Sequence, residues 1–300
     1  MNRRNTPRIS FIGFGEAGQA IASGLREVGI ERIAAWDILF PQREGERLRA
    51  AGEAIGVRLA NSAADAVRET DMIIAAVTAA SSLEAARSVQ PHLSGTPYYL
   101  DINSVSPGRK QETERLLGEA ARYVDVAVIA AIHPALHRTP VLTAGPHAKT
   151  IASLLAELDM RASIVGPQTG AAAAIKMIRS VLIKGIEALT LECFLAAARA
   201  GVLDEVTASL KNNYTGVDWA KMSEYNLERM ASHGERRAAE MEESAATLRQ
   251  LGIEPMMVDA TVTRQREMGA IGKSEMVRAS LDKGRPAMLA AISEAAKNGR

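Results

Sequence analysis

Residues 8–37, RISFIGFGEAGQAIASGLREVGIERIAAWD, decide the fold. The apolar run Ile9-Ser10-Phe11-Ile12 reads as a buried strand, the turn that follows carries Gly13, Gly15 and Gly18, and Gln19 to Leu25 can continue as a helix. Each glycine has its own physical reason: Gly13 permits the tight turn, Gly15 lets backbone approach a pyrophosphate, and Gly18 lets the helix pack closely on the strand. A helix start also offers unpaired N–H groups and the positive end of a dipole to phosphate. The whole turn, with Phe14, Glu16 and Ala17 between the glycines, is therefore assigned to a dinucleotide. Three glycines alone are a weak signal. Asp37 strengthens it, because it closes a second apolar run, Ile33-Ala34-Ala35-Trp36, where an acid accepts the hydroxyls of an adenosine ribose and repels a 2′-phosphate. NAD is the expected cofactor, and Arg43 close by leaves NADP open.

Outward from this unit, short β-rich runs at 8–12, 31–36, 71–77, 97–102, 123–129, 140–144 and 162–165 alternate with helical stretches at 44–54, 62–69, 80–89, 107–121 and 147–158. Asn61 and Ser106 are expected helix caps. Strand signals stop after Gly166-Pro167, and the remainder is rich in Ala, Leu, Met and Glu. The expected architecture is α/β: a Rossmann domain over 1–166 with a doubly wound, mainly parallel sheet, joined by a long helix to an all-α domain over 167–300. In that helix Ile175, Ile178, Leu182, Ile186, Leu189, Cys193 and Ala197 recur at spacings of three and four, which predicts one apolar seam and a buried Cys193. Further helices are expected over 203–212, 216–231, 235–251, 256–269 and 285–297.

Composition narrows the partners. Against 36 Lys and Arg stand 35 Asp and Glu, so no general field points to nucleic acid or an anionic membrane. A single cysteine excludes an intrachain disulfide. The basic residues before Arg8 lead into a strand and not into the apolar stretch of a signal peptide, and no run of eighteen apolar residues occurs, so a soluble cytoplasmic protein is the expectation. His133 and His137 have the i, i+4 spacing of a helical metal pair, but Pro134 between them and Pro140 beyond argue for a loop, and no metal is expected. Trp219 and Tyr225 fall on one side of an expected helix and read as core, with the wall of an apolar substrate pocket as the alternative.

One stripe of the long helix is polar. Lys176, Ser180 and Lys184 fall at i, i+4 and i+8, with Arg179 beside them, after an approach of small residues from Gly170 to Ala174. By spacing alone this is a solvated face. Its surroundings, however, make the chain resemble the β-hydroxyacid dehydrogenase and 6-phosphogluconate dehydrogenase superfamily, in a poorly characterised branch. GFGEAGQAIASGLREVG at 13–29 is similar to that family's opening cofactor motif. Asp101-Ile102-Asn103-Ser104-Val105-Ser106-Pro107 is similar to its Asp-x-Ser-Thr loop, Tyr123 to Val128 to the strand before the substrate loop, and Gly170 to Ser180 to the catalytic helix. Asp218 to Met222 and Arg236 to Glu242 resemble the same branch.

The resemblance implies a homodimeric NAD(P)-dependent oxidoreductase acting on an alcohol or keto group of a small molecule. Val77, Thr78, Asn103 and Ser104 would border the nicotinamide, Lys176 would exchange the proton, and Ile129, His133, Arg179 and Ser180 would meet substrate. A free lysine is charged at neutral pH, so a base role asks for a shift of about three units, and burial with Arg179 and Lys184 nearby pushes that way. Departures from the family pattern are equally specific. Ser180 stands for an asparagine, Arg179 and Ile183 for the histidine and glutamate of decarboxylating enzymes, Ile129-Ala130-Ala131 for Ser-Gly-Gly, and Ala239 near the place of a carboxyl-terminal lysine. Alternatives are an imine reductase, an oxidative decarboxylase or oxidoisomerase of the same fold, and a dinucleotide-binding protein without turnover.

Overall fold

The computed structural model describes residues 6–298. Its eight strands are β1 (Ile9–Ile12), β2 (Ile33–Trp36), β3 (Arg58–Leu59), β4 (Met72–Ala75), β5 (Tyr98–Asp101), β6 (Arg122–Val128), β7 (Val141–Ala144) and β8 (Ala162–Gly166). They form one sheet in the order β3-β2-β1-β4-β5-β6-β7-β8, parallel throughout except between β6 and β7. The helices of this half are α1 (Glu16–Glu27), α2 (Glu46–Ala54), α3 (Ala63–Ala66), α4 (Ser82–Val89), α5 (Pro107–Leu117) and α6 (Ala148–Glu157).

Period-two alternation assigns side chains to the two faces of the sheet. Ile9, Phe11, Met72, Ile74, Leu100, Val124 and Val126 pack on α1 and α6 through Ile21, Leu25, Ile151 and Leu155. Ile12, Ile73, Ala75, Tyr99 and Tyr123 face α3, α4 and α5 through Ala66, Ala86, Val89 and Leu117. Strands buried on both faces need helices on both, which is the doubly wound arrangement expected from the sequence. The order reverses direction between β1 and β4, and the crevice at such a reversal is where α/β sheets hold ligands.

α7 (Ala171–Ala200) follows, then α8 (Leu203–Asn213), α9 (Trp219–Gln250), α10 (Met256–Ile271), α11 (Glu275–Arg278) and α12 (Arg285–Asn298). The chain divides into two compact units inside α7, between Met177 and Ile178. The second unit is helical, with a core of Leu191, Phe194, Leu227, Met230, Met268, Val277, Met288 and Ile292, and a smaller cluster of Met241, Val258 and Val262.

Several local expectations are corrected. The helices expected over 216–231 and 235–251 are one helix, α9, running through Gly234. That glycine is not a break but a crossing point: a Cβ there would lie 2.3 Å from the Gln265 carbonyl oxygen and 2.5 Å from the Gly269 nitrogen, so α9 and α10 touch backbone to backbone. The side-chain cap of α3 is Ser62, which accepts from the Asp65 N–H at 3.0 Å, and not Asn61. Trp219 is half-buried against Tyr214, whereas Tyr225 is 60% exposed and not core. β3 and α11 were too short to read in the sequence.

The seam of α7 is exposed from Ile175 to Cys193, apart from a half-buried Ile186, while Ala197 at its end is buried. Ile178, Leu182 and Leu189 are 47%, 66% and 57% exposed, and Cys193, expected inside, is exposed too. The buried side of the helix carries Ser180, Lys184, Glu187 and Thr190 together with Leu191 and Phe194. No described helix is long and apolar enough to cross a membrane.

Candidate active site

The turn after β1 is built against the end of β4. Gly13 has φ +89°, and a Cβ there would lie 2.3 Å from the Ala76 carbonyl oxygen, so only glycine fits. At Gly18 a Cβ would come within 2.7 Å of the Gly13 carbonyl oxygen, which is the close packing of helix on turn. Gly15, the residue before α1, is different: nothing lies within 4 Å of where its Cβ would be. The first two glycines are fixed by protein atoms, and the third faces open space beside the unpaired N–H groups of a helix start. These residues fit a dinucleotide pyrophosphate.

Phe14 contributes only backbone to this site. Its ring is fully buried between Phe11 and Phe40, and its N–H donates to Asp37 Oδ2 at 2.7 Å, so it is not free for a phosphate. Asp37 Oδ1 accepts from the Leu39 N–H at 3.0 Å. The carboxylate is thereby held at the end of β2, and each oxygen keeps a lone pair for a ribose hydroxyl. Glu16 is exposed and Ala17 half-buried in the first turn of α1.

At the ends of β4 and β5, Asn103 joins the two loops. Its side-chain oxygen accepts from the Val77 N–H at 2.7 Å, while its own N–H and amide group donate to Asp101 Oδ1 at 3.0 and 2.8 Å. Asn103 is buried, so its contribution there is the link between the two loops. Thr78 is exposed, with its hydroxyl 3.1 Å from that of Ser81. Ser104, half-buried, accepts from Lys176 Nζ at 2.5 Å. Residues far apart in sequence are thus brought together where β5 ends.

The lysine's helix is anchored by Asp125, which lies inside β6. Asp125 Oδ2 accepts from the N–H groups of Gly170, Ala172 and Ala173 at 3.0, 3.0 and 3.2 Å and so caps α7. Gly170, at φ +100°, lets the chain pass against Pro107, and Thr169 donates to Glu114 at 2.9 Å.

Further along α7, Lys184 is buried and its ammonium donates to Glu240 Oε2 at 3.0 Å and to Ser180 Oγ at 3.1 Å. Burial pulls the Lys184 ammonium below its ordinary range and Glu240 opposes that. The expectation that Lys184 adds bare positive charge beside Lys176 is therefore corrected, because a carboxylate matches it. Arg179 is exposed. Glu187 receives the Arg237 guanidinium and the Gln265 amide, and Ile183 is 40% exposed.

The loop after β6 carries Ile129, half-buried, and His133, exposed in a groove of about 260 Å³ with Glu16, Gln19, Ser23 and Ile55, beside the first turns of α1. His137 is the loop's anchor. It is 1% exposed, packed on α1 so tightly that a Cβ at Gly24 would meet its Nδ1 at 2.1 Å, and neither ring nitrogen has a hydrogen-bond partner. Burial, with Arg138 adding to it and Asp159 and Glu27 opposing, lowers its proton affinity. As pH falls below about 6.5 the unfolded chain binds a proton that the folded chain refuses, so stability present above that pH declines toward the depressed value. In His137→Leu the fall in melting temperature between pH 7 and pH 5 should shrink. An equal fall in both proteins would mean that His137 titrates alike folded and unfolded.

Among the described residues no three His, Cys, Asp or Glu side chains stand together as for a metal. Residues 8–103 match the family model of coenzyme F420-dependent NADP oxidoreductases, and residues 197–268 match a domain of unknown function, DUF1932. A conserved hypothetical protein from Sinorhizobium meliloti 1021 is 33% identical over 98% of both chains, with a TM-score of 0.76. The conserved protein MTH1747, described as structurally similar to 3-hydroxyacid dehydrogenases, is 27% identical over 89% of this chain and 100% of that one, TM-score 0.68. At the level of fold alone, 3-hydroxyisobutyrate dehydrogenase from Mycobacterium tuberculosis, solved with L-serine, is 16% identical over 97% of this chain and 99% of that one, TM-score 0.69. An imine reductase variant from Myxococcus stipitatus, solved with NAD+, is 22% identical over 96% and 100%, TM-score 0.54.

Proposed function

The chain belongs to the β-hydroxyacid dehydrogenase superfamily, and from that premise we propose that it is an NAD(P)-dependent oxidoreductase that interconverts an alcohol and a carbonyl on a small organic substrate. The observation that carries the reading is the 2.5 Å contact between Lys176 Nζ and Ser104 Oγ at the carboxyl end of β5. It supports the reading because it brings an amine, a group able to exchange a proton, beside the loop that would border the nicotinamide.

In this reading Gly15 and the first turn of α1 hold the pyrophosphate, Asp37 the adenosine ribose, and Val77, Thr78 and Asn103 the wall at the redox end. A nicotinamide bound there would supply the hydride acceptor, or the donor in the reverse direction. Lys176 takes the hydroxyl proton as the carbon–hydrogen bond gives up its hydride, and returns it on reduction. Ser104 donates to the substrate oxygen and Lys176 meets the same oxygen, accepting its proton on oxidation and donating it on reduction, so both give up the contact they make with each other. Ile129 and His133 belong to the outer reach of the substrate region.

Decarboxylation after oxidation is disfavoured. The acid that would protonate an enediol is replaced by Ile183, and Glu187, one turn farther, is committed to Arg237 and Gln265. We further propose a second copy of the chain as the partner that covers the exposed apolar side of α7, since contiguous apolar surface of this kind marks an association site.

The test is a panel of hydroxy acids, polyols and their keto forms with NAD and NADP, followed at 340 nm. Absorbance change with at least one alcohol or ketone is expected. Cofactor binding without absorbance change across the panel would leave a dinucleotide-binding protein without turnover, and turnover confined to imines would move the reaction to C=N bonds.

A further inference from the structure

The reading of Lys176 as the proton-exchanging group leaves one buried charge unexplained. Lys110 lies on α5 with its side chain 1% exposed, in a fold where lysine is seldom buried unless paired. Its cause is in the register of the sheet. β5 and β6 are parallel with Asp101 opposite Asp125, so two carboxylates stand side by side on one face, and both are buried. Two adjacent buried carboxylates cannot both stay ionised without a cation between them. Lys110 Nζ lies 3.1 Å from Asp101 Oδ1 and 3.7 Å from Asp125 Oδ1, and it donates to the Asp101 carbonyl oxygen at 2.5 Å. Tyr123 donates to the other oxygen of Asp101 at 2.8 Å.

Each carboxylate organises one half of the site. Asp125 holds the first turn of α7 by three N–H groups, and Lys176 lies one turn farther along the same helix. Asp101 holds Asn103 by two hydrogen bonds, Asn103 holds Val77, and Ser104 is the next residue. We propose that Lys110 is a positioning residue: one cation, shared by Asp101 and Asp125, sets the helix that carries Lys176 and the loop that carries Ser104 in register with each other.

Burial, with the Asp101 charge adding to it, pushes the Asp125 carboxyl above its ordinary range, and Lys110 is the largest opposing influence. With Lys110 neutralised, one of the two carboxyl groups takes up a proton, and a protonated Asp125 grips the N–H groups of α7 less strongly than a charged one.

The experiment uses the full-length chain and needs no substrate. In Lys110→Met, amide hydrogen exchange should speed by about tenfold or more in segments 100–108 and 166–177, through local opening, while segments 9–25 and 225–245 keep wild-type rates. Unchanged exchange in the first two segments, or equal acceleration in all four, overturns the proposal, the latter because it marks general destabilisation. A second readout follows the contact that the register sets. In Lys110→Met the Lys176 Cε signal of [13C]lysine-labelled protein, identified by its absence in Lys176→Ala, should move from its wild-type shift, because the contact with Ser104 is lost with the register. An unmoved signal overturns the proposal as well. Inactivity of the wild-type chain across the panel of alcohols and ketones would reject the functional reading while both of these results could still stand, so the two failures are separable.

Discussion

Lys176→Ala is expected to lower turnover by about a hundredfold or more and to leave the affinity for NADH or NADPH within about twofold of wild type. The size follows from the chemistry. A hydroxyl proton has to leave as hydride departs, and without a positioned acceptor it must go to water. Affinity should hold because the residues proposed to carry cofactor, Gly15, Asp37 and Asn103, make their contacts without Lys176. Stopped-flow hydride transfer and quenching of reduced-cofactor fluorescence measure the two separately. Wild-type turnover in the variant removes Lys176 from the proton path. A parallel loss of cofactor affinity would make it a binding residue instead.

Gly13→Ala carries the other large effect. A side chain at φ +89° is strained by about 1–3 kcal/mol. The added carbon also lands 2.3 Å from a carbonyl oxygen of the neighbouring strand end, where backbone cannot swing aside, and overpacking of this kind costs a further 1–3 kcal/mol or so. The urea midpoint should drop sharply and cofactor binding should vanish with the turn. Gly15→Ala is the matching control. Its Cβ meets no protein atom, so stability should stay near wild type while cofactor affinity falls by about tenfold or more through contact with the pyrophosphate. Loss of affinity in Gly13→Ala alone would mean that nothing occupies the space in front of Gly15.

The alternation of the strands and the glycine turn were legible because both are local: Ile9-Ser10-Phe11-Ile12 and Met72-Ile73-Ile74-Ala75 show their burial in their own composition. α9 was misread as two helices because a glycine at position 234 signals a break when viewed from one chain segment, and a close helix crossing only when the second helix is present. Of the site, Gly13, Gly18, Asp37 and the Lys176 helix could be found by spacing or by resemblance. Lys110 could not. In Pro107-Gly108-Arg109-Lys110-Gln111 it looks like one more solvated cation on a helix, and only the pairing of β5 with β6 puts two acids beneath it. A signal was present, in that Asp101 and Asp125 each stand within or at the end of an apolar run where a lone carboxylate would be costly. The period of α7 was legible and the exposure of Cys193 was not, since a stripe of Ile and Leu says that something covers it without saying which molecule does.

That uncovered stripe has a thermodynamic consequence. If a second copy of the chain is its cover, association and folding draw on the same free energy, and the temperature at which the chain melts becomes a function of how much of it is in the tube. Dilution would then act as a mild denaturant, and a charge placed at Leu182 would mimic dilution at every concentration.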